Sequence, residues 1–309
     1  MTHEELPSKD DACYLALKAR DARFDGNFFT GVTSTGIYCR PVCRVRTPKR
    51  ENCRFFPQAA LAEQAGFRPC LRCRPELAPG QGALGSPAER KAWSMQEASS
   101  ILAYQASRLM DAPANWGTAA PGIGQLARHL GISDRHLRRI FETQFGVSPL
   151  QYLQTRRLLC AKQLLTDTAL PTAQVASMSG FASVRRFNAA FVGHYGLNPT
   201  QLRSRRVTPA KASAQAGIQV RLAWRPPYDV DALLAFFAAR QVAGLELVTN
   251  CASRKSIART LRVPGPQQNH LGWLLATFDE PLCRVNLTVS DSLAGVLPQV
   301  MARVRALLA

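Results

Sequence analysis

Two close pairs of cysteines constrain this chain of 309 residues more than any other feature. Cys39 and Cys43 stand in CRPVC, Cys70 and Cys73 in CLRC, with 26 residues between the pairs. Each pair sets two thiols on one short turn, and the intervening loop can fold back to bring the turns together. Four thiolates at about 2.3 Å make the tetrahedral coordination of a structural Zn²⁺. Disulfides are the competing reading. They are disfavoured because no secretory signal precedes the pairs, and because Cys13, Cys53, Cys160, Cys251 and Cys283 leave an odd total. Arg40, Arg44, Arg46, Lys49, Arg50, Arg54, Arg68, Arg72 and Arg74 crowd the same stretch. Such cations would offset the charge of a tetrathiolate centre and could also grip phosphates. The spacing by itself implies a metal and no chemistry.

The net charge of +18 is unevenly spread. Residues 1–80 carry 13 basic and 9 acidic side chains (+4), residues 81–206 carry 15 and 6 (+9), and residues 207–309 carry 11 and 6 (+5). The excess peaks in the middle segment, where a DNA-contact surface is sought first; charge for solubility is the bland alternative. No run approaches about 18 apolar residues, so no membrane-spanning helix is expected and the chain reads as cytoplasmic.

The length allows two or three domains. DDACYLALKARDA reads as an amphipathic helix before the cysteine stretch, and LAPGQGALGSP after Glu76 as a linker. A helix is expected from about Ala88 to Met110, apolar at Trp93, Ile101, Leu102, Leu109 and Met110, then an irregular stretch DAPANWGTAAPG. The middle segment repeats itself. LARHLGISDRHLRRIFETQFG (Leu126–Gly146) aligns with VASMSGFASVRRFNAAFVGHYG (Val175–Gly196), with one residue inserted in the second copy. Each copy has a short helix, a turn with Gly131 or Gly180, an N-cap serine (Ser133, Ser183) and a longer helix. In the longer helices Leu137, Ile140, Phe141, Phe145 and Phe187, Ala190, Phe191, Tyr195 recur at helical spacing, which is the helix-turn-helix layout. SPLQYLQTRRLLCAKQLLTD is the connecting helix, with Tyr152, Leu153, Leu158, Leu159 and Leu164 inward. After the linker SRRVTPAKASAQAG, a strand (IQVRLAWRPPYD), a helix (VDALLAFFAARQVAGLELV), three strand-like runs and a final helix (LAGVLPQVMARVRALLA) close the chain.

Three resemblances attach to these words. FTGV, TGIYCRP, REN-FF, AGFRPC and CLRCRPE, between about Arg23 and Glu76, resemble the zinc-binding methyl-acceptor domain of the Ada family. The repeat, with the closing phrases QFGVSPLQYL and HYGLNPTQLR, resembles the AraC-type DNA-binding domain over about residues 90–206. RPPYD and FFAAR-x-VAGLE are similar to the N-terminal domain of AlkA-type DNA glycosylases, an α/β scaffold without a catalytic group. The expected architecture is therefore multidomain α+β. It comprises a four-cysteine zinc α/β module (1–78), a linker (79–90), an all-α double helix-turn-helix domain (91–206), a linker (207–216) and a C-terminal α/β domain (217–309).

The first resemblance implies that Cys39 is both zinc ligand and nucleophile, that Cys43, Cys70 and Cys73 complete a single Zn²⁺ site, and that Thr35, Arg46 and Arg68 clamp the phosphate. It implies an irreversible, single-turnover transfer of a methyl group from a DNA methyl phosphotriester to Cys39. A ligated thiol is a thiolate and hence nucleophilic, and sulfur that takes a methyl gives up a negative charge facing the DNA polyanion. The second resemblance implies two helices in successive major grooves about 34 Å apart. Arg135, His136, Arg138 and Arg139 would read bases from the first, and Val184, Arg185, Arg186 and Asn188 from the second, with arginine suited to guanine and asparagine to adenine. The expected partners are double-stranded DNA, both an alkylated backbone and a specific promoter, and RNA polymerase. No membrane partner is expected, and the chain is expected to be a monomer. No glycosylase activity is expected, because Pro121–Gly124 is misplaced for a glycosylase hairpin, and no O6-alkylguanine transfer, because PCHR is missing. The competing functions are a zinc-dependent transcription regulator without methyl transfer, and a truncated 3-methyladenine glycosylase fusion.

Overall fold

The computed structural model describes residues 8–79, 95–111, 122–204, 217–224, 226–264 and 268–308. Trp93, Pro121 and most of the linker stretches lie outside them. The chain divides into two units, one made of Met1–Asp111, Pro121–Leu159 and Gly193–Gly196, the other of Ala112–Ala120, Cys160–Val192 and Leu197–Ala309.

The first unit opens with helix α1 (Lys9–Ala19), capped by Ser8, whose side chain accepts from the Asp11 N–H. A sheet follows in the order β3-β1-β2-β4, from β1 (Phe29–Val32), β2 (Ile37–Cys39), β3 (Cys53–Phe56) and β4 (Arg68–Pro69). The first three strands are antiparallel, whereas β4 runs parallel to β2. Helix α2 (Ala59–Gln64) supplies Ala62 to the cluster Phe29, Tyr38, Phe56, Phe67. Gly31 is required there, because a Cβ would stand 2.9 Å from the Phe56 ring and 3.0 Å from that of Phe67.

Three further helices belong wholly to this unit: α3 (Met95–Asp111), α4 (Ile123–His129) and α5 (Asp134–Phe145). The start of α6 (Pro149–Asp167) belongs to it as well. The inward face of α3 is Ala103, Ala106 and Met110, spaced three and four apart, while Ile101 is half exposed, against its expected inward role. Small residues let α3 approach α5 closely, with Tyr104 edge-on to Phe145 at 5.2 Å.

Helices α7 (Thr172–Met178) and α8 (Val184–Tyr195) repeat the pattern of α4 and α5; they lie in the second unit up to Val192, and the end of α8 from Gly193 belongs to the first. Both inter-helix turns use a left-handed glycine, Gly131 at φ 69° and Gly180 at φ 80°. Both longer helices begin on a serine cap, with His136 N–H donating to Ser133 at 3.2 Å and Arg186 N–H to Ser183 at 3.3 Å. Leu137, Ile140, Phe141, Phe145, Phe187, Phe191 and Tyr195 are buried as their spacing requires.

The C-terminal sheet has the order β5-β9-β8-β7-β6, all antiparallel, from β5 (Ile218–Ala223), β6 (Glu246–Cys251), β7 (Arg254–Pro264), β8 (Asn269–Asp279) and β9 (Arg284–Val289). Helix α10 (Val230–Ala238) ends earlier than its apolar pattern suggests, and GLELV instead leads into β6. The short helix α9 (Pro199–Ser204) precedes this sheet, and α11 (Leu297–Leu307) follows it. The expected final helix begins late: Asp291–Val296 is a 3₁₀ segment, and Pro298 sits in the first turn of α11, where proline is tolerated. Val300, Met301 and Val304 bury the apolar side of α11. Asp167, at the end of α6, receives Arg305 at 3.0 Å.

Candidate metal centre

The two cysteine pairs meet because β2 and β4 are neighbours and run the same way. Cys39 is the last residue of β2 and Cys70 follows directly on β4, with Cys70 N–H donating to the Tyr38 carbonyl at 3.0 Å. Cys43 and Cys73 lie on the turns beyond. Their four sulfurs all fall within 4.8 Å of one another and all four residues are buried. Ligands at about 2.3 Å from one tetrahedral centre stand roughly 3.8 Å apart, so the quartet fits a zinc ion. All nine cysteines are free thiols.

The electrostatics of the sulfurs agree. Contacts with Cys39, Cys43 and Cys73 hold the Cys70 thiol far below its ordinary range, and Cys43 is pulled down to about 7, chiefly by the Cys39 thiol. Cys39 moves the other way, raised by thiol contacts with Cys43, Cys70 and Cys73 and by burial. Cys73 is raised as well, its lowering contact with Cys39 outweighed by contacts with Cys43 and Cys70 and by burial; a cation at the centre would favour the thiolate form of all four.

Backbone N–H groups steady the other three sulfurs. Arg40 donates to Cys73 Sγ at 3.3 Å, Arg72 donates to Cys70 Sγ at 3.3 Å, and the Val45 backbone lowers Cys43. Among the described residues no N–H bonds to Cys39 Sγ. A narrow crevice reaches Cys39 and Cys43 between Leu17, Thr30, Val32, Val45, Thr47 and Pro48.

The surrounding cations divide into two groups. Arg40, one of the cations that could offset the tetrathiolate charge or grip phosphate, is 8% exposed, paired in bidentate fashion with Asp25, and bonded to the Cys73 carbonyl at 3.2 Å. Arg40 is a strut beneath the ligand turns. Arg50 pairs with Asp11 at 2.9 Å, and Arg54 stacks over Phe56 and Phe67. Arg44, Arg46, Arg68 and Arg72 are exposed beside the ligand positions. Thr35 is exposed on the β1–β2 turn, its hydroxyl donating to the Val32 carbonyl at 3.3 Å.

Of the expected base readers, Arg135, Arg138, Arg139, Val184, Arg185, Arg186 and Asn188 are exposed at the starts of α5 and α8, and His136 is half-buried. Arg139 and His136 lie 3.1 Å apart on one face. Four residues escaped sequence reasoning: Asp25, Glu63, Thr155 and His194. Asp25 sits in the quoted FDGNFF stretch but carries no spacing signal, and the others meet only through long-range contacts.

A tetrathiol metal module on a small sheet, carried with a duplicated helix-turn-helix, defines the class. Residues 12–76 match the metal-binding domain of Ada, residues 126–205 a helix-turn-helix domain, and residues 219–309 the AlkA N-terminal domain; the chain carries these three domains in that order. It is 38% identical over 279 residues to a probable bifunctional transcriptional activator/DNA repair enzyme AlkA of Mycobacterium tuberculosis, covering 87% of this chain and 52% of that protein. It is 34% identical over 148 residues to the bifunctional transcriptional activator/DNA repair enzyme Ada of Escherichia coli, covering 48% of this chain and 36% of that one. The solved DNA methyl phosphotriester repair domain of E. coli Ada is 40% identical, with 30% of this chain and all of that domain covered, at a TM-score of 0.22. The chain spans about half the length of the first of these relatives. Among the described residues, no helix is long and apolar enough to cross a membrane.

Proposed function

We propose that the chain is a DNA alkylation-response protein in which Cys39 takes a methyl group from a methyl phosphotriester in the DNA backbone, and that this transfer turns on promoter binding by the helix-turn-helix domain. One observation carries the assignment of Cys39. It alone of the four sulfurs has no N–H donor among the described residues, so its lone pairs are the least attenuated, and the crevice leads to it. A single zinc, when bound, supplies deprotonation of all four thiols.

The rest follows from the chain's own groups. A Cys39 lone pair forms the S–C bond to the methyl carbon while the C–O bond breaks, and its electron pair stays on the phosphate oxygen. No proton moves. Thr35, Arg46 and Arg68 orient the phosphoryl group and meet the charge that returns to it. The thioether has no route back to a thiolate, so each molecule acts once. The sulfur face loses one negative charge, which favours closer approach to DNA. Arg135, His136, Arg138, Arg139, Val184, Arg185, Arg186 and Asn188 then read the promoter. The five-part division with boundaries at 78, 90, 206 and 216 is supported by the three domain matches. A monomer acting in the cytoplasm and contacting RNA polymerase completes the reading, with methyl transfer, not base release, as its repair chemistry.

The test is intact mass after incubation with duplex DNA carrying methyl phosphotriesters. One methyl group should appear on the wild type and on Cys53→Ser, and none on Cys39→Ser. A zinc-loaded protein that never gains mass would leave a regulator with a structural metal. Release of alkylated bases from the same duplex would favour a glycosylase instead.

A further inference from the structure

Glu63, on α2, is a carboxylate with a 10% exposed side chain and three partners on three separate elements. The Tyr38 hydroxyl donates to Glu63 Oε1 at 2.8 Å. The Thr155 hydroxyl, from α6, donates to Oε2. His194 Nε2, near the end of α8, lies 3.1 Å from Oε1. Burying a carboxylate is unfavourable unless its oxygens are bonded, so the three partners hold each other in place through it.

The neighbourhood shows the same docking. Ideal Cβ atoms on Gly146 and Gly196, equivalent positions of the internal repeat, would stand 3.0 Å from Leu61 Cδ2 and 3.1 Å from Arg68 Nη1. Residues 61–68 therefore lie against the closing turns of both copies. Tyr38 is fully buried, and the next residue is Cys39.

We propose that Glu63 is the latch by which the metal module grips the helix-turn-helix domain, and that Tyr38 connects the latch to the state of Cys39. A methyl group on Cys39 Sγ adds bulk to a buried position and removes a charge one residue from Tyr38. Tyr38 is tied to Glu63, so the disturbance reaches Thr155 and His194 through two hydrogen bonds and one close polar contact. The latch stands on the contacts alone; the connection to Cys39 rests on the methyl-acceptor reading.

Hydrogen exchange on the zinc-loaded full chain tests both parts. Loss of a buried, charged hydrogen-bond partner should speed exchange about tenfold in residues 150–160 and 190–196 of Glu63→Ala, with zinc content unchanged. Thr155→Val, which keeps the shape and removes one bond, should speed the same segments by less. Unaltered exchange in both variants overturns the latch. For the connection, the wild type is compared before and after one methyl is placed on Cys39, by methylated DNA or, if DNA transfers none, by methyl iodide. Exchange in the two segments should shift in the wild type and stay fixed in Tyr38→Phe. A verified methyl on Cys39 without that shift overturns the connection while leaving the methyl-acceptor function intact. Mass gain from methyl iodide but not from DNA overturns the function and still decides the connection.

Discussion

Cys70 donates its backbone N–H to the carbonyl of Tyr38, so the strand delivering the third ligand is bonded to the residue just before the first. The parallel ladder between β2 and β4 is only two residue pairs long, Ile37 with Arg68 and Tyr38 with Pro69. So short a ladder depends on the ion that ties its ends. Chelation, or Cys70→Ala, should therefore melt the module as well as release zinc. Zinc content and a thermal melt followed on one sample check this, and a melt unchanged after metal removal would contradict it.

The ion pair between Arg40 and Asp25 is buried on both sides, each side chain 9% exposed. Arg40→Ala strands the carboxylate and also removes the bond to the Cys73 carbonyl. The cost should be about 3–5 kcal/mol in denaturant unfolding. The double substitution with Asp25→Ala should recover part of that loss, because it removes the stranded charge.

Arg46 and Arg68 are exposed, Arg68 with Nη1 beside the Gly196 turn, and so are the arginines at the starts of α5 and α8. Arg46→Ala and Arg68→Ala should each lower the salt dependence of DNA binding by about one phosphate contact and slow methyl uptake, with zinc unchanged. Arg138→Ala or Arg185→Ala should cost about 1–3 kcal/mol on the selected promoter and leave methyl uptake as it was.

Burial, and after it the nearby Asp111 charge, push the Tyr152 hydroxyl well above its ordinary range. A group whose folded value is raised contributes stability that is fully present below its unfolded value, about 10, and is lost as pH rises towards the folded one. Unfolding free energy should thus be insensitive to Tyr152 up to about pH 9 and fall from about pH 10 upward. Tyr152→Phe should flatten that part of the profile, measured by denaturant titration at several pH values.

Much of this was legible in the sequence for local reasons. Cysteine spacing, the two capping serines and the glycines at the turns act over a few residues, so the metal quartet and both helix-turn-helix units could be read directly. The misreadings came where distant partners decide. The apolar period of VDALLAFFAARQVAGLELV runs on past Ala238, yet β7 claims its last residues, pairing Arg259 with Glu246. Ile101 fits a helical stripe but faces outward, because alanines let α3 approach more closely than a large side chain would. Arg40 reads as one more surface cation until Asp25 is found beside it, and Glu63 has no signal at all without its three partners.

The equivalence of Gly146 and Gly196 has one further consequence. Duplication of a helix-turn-helix produced two alike landing places, and the module occupies both with different side chains, an aliphatic one and a cationic one. Swapping the two copies would therefore exchange which closing glycine meets the aliphatic side chain and which the cationic one.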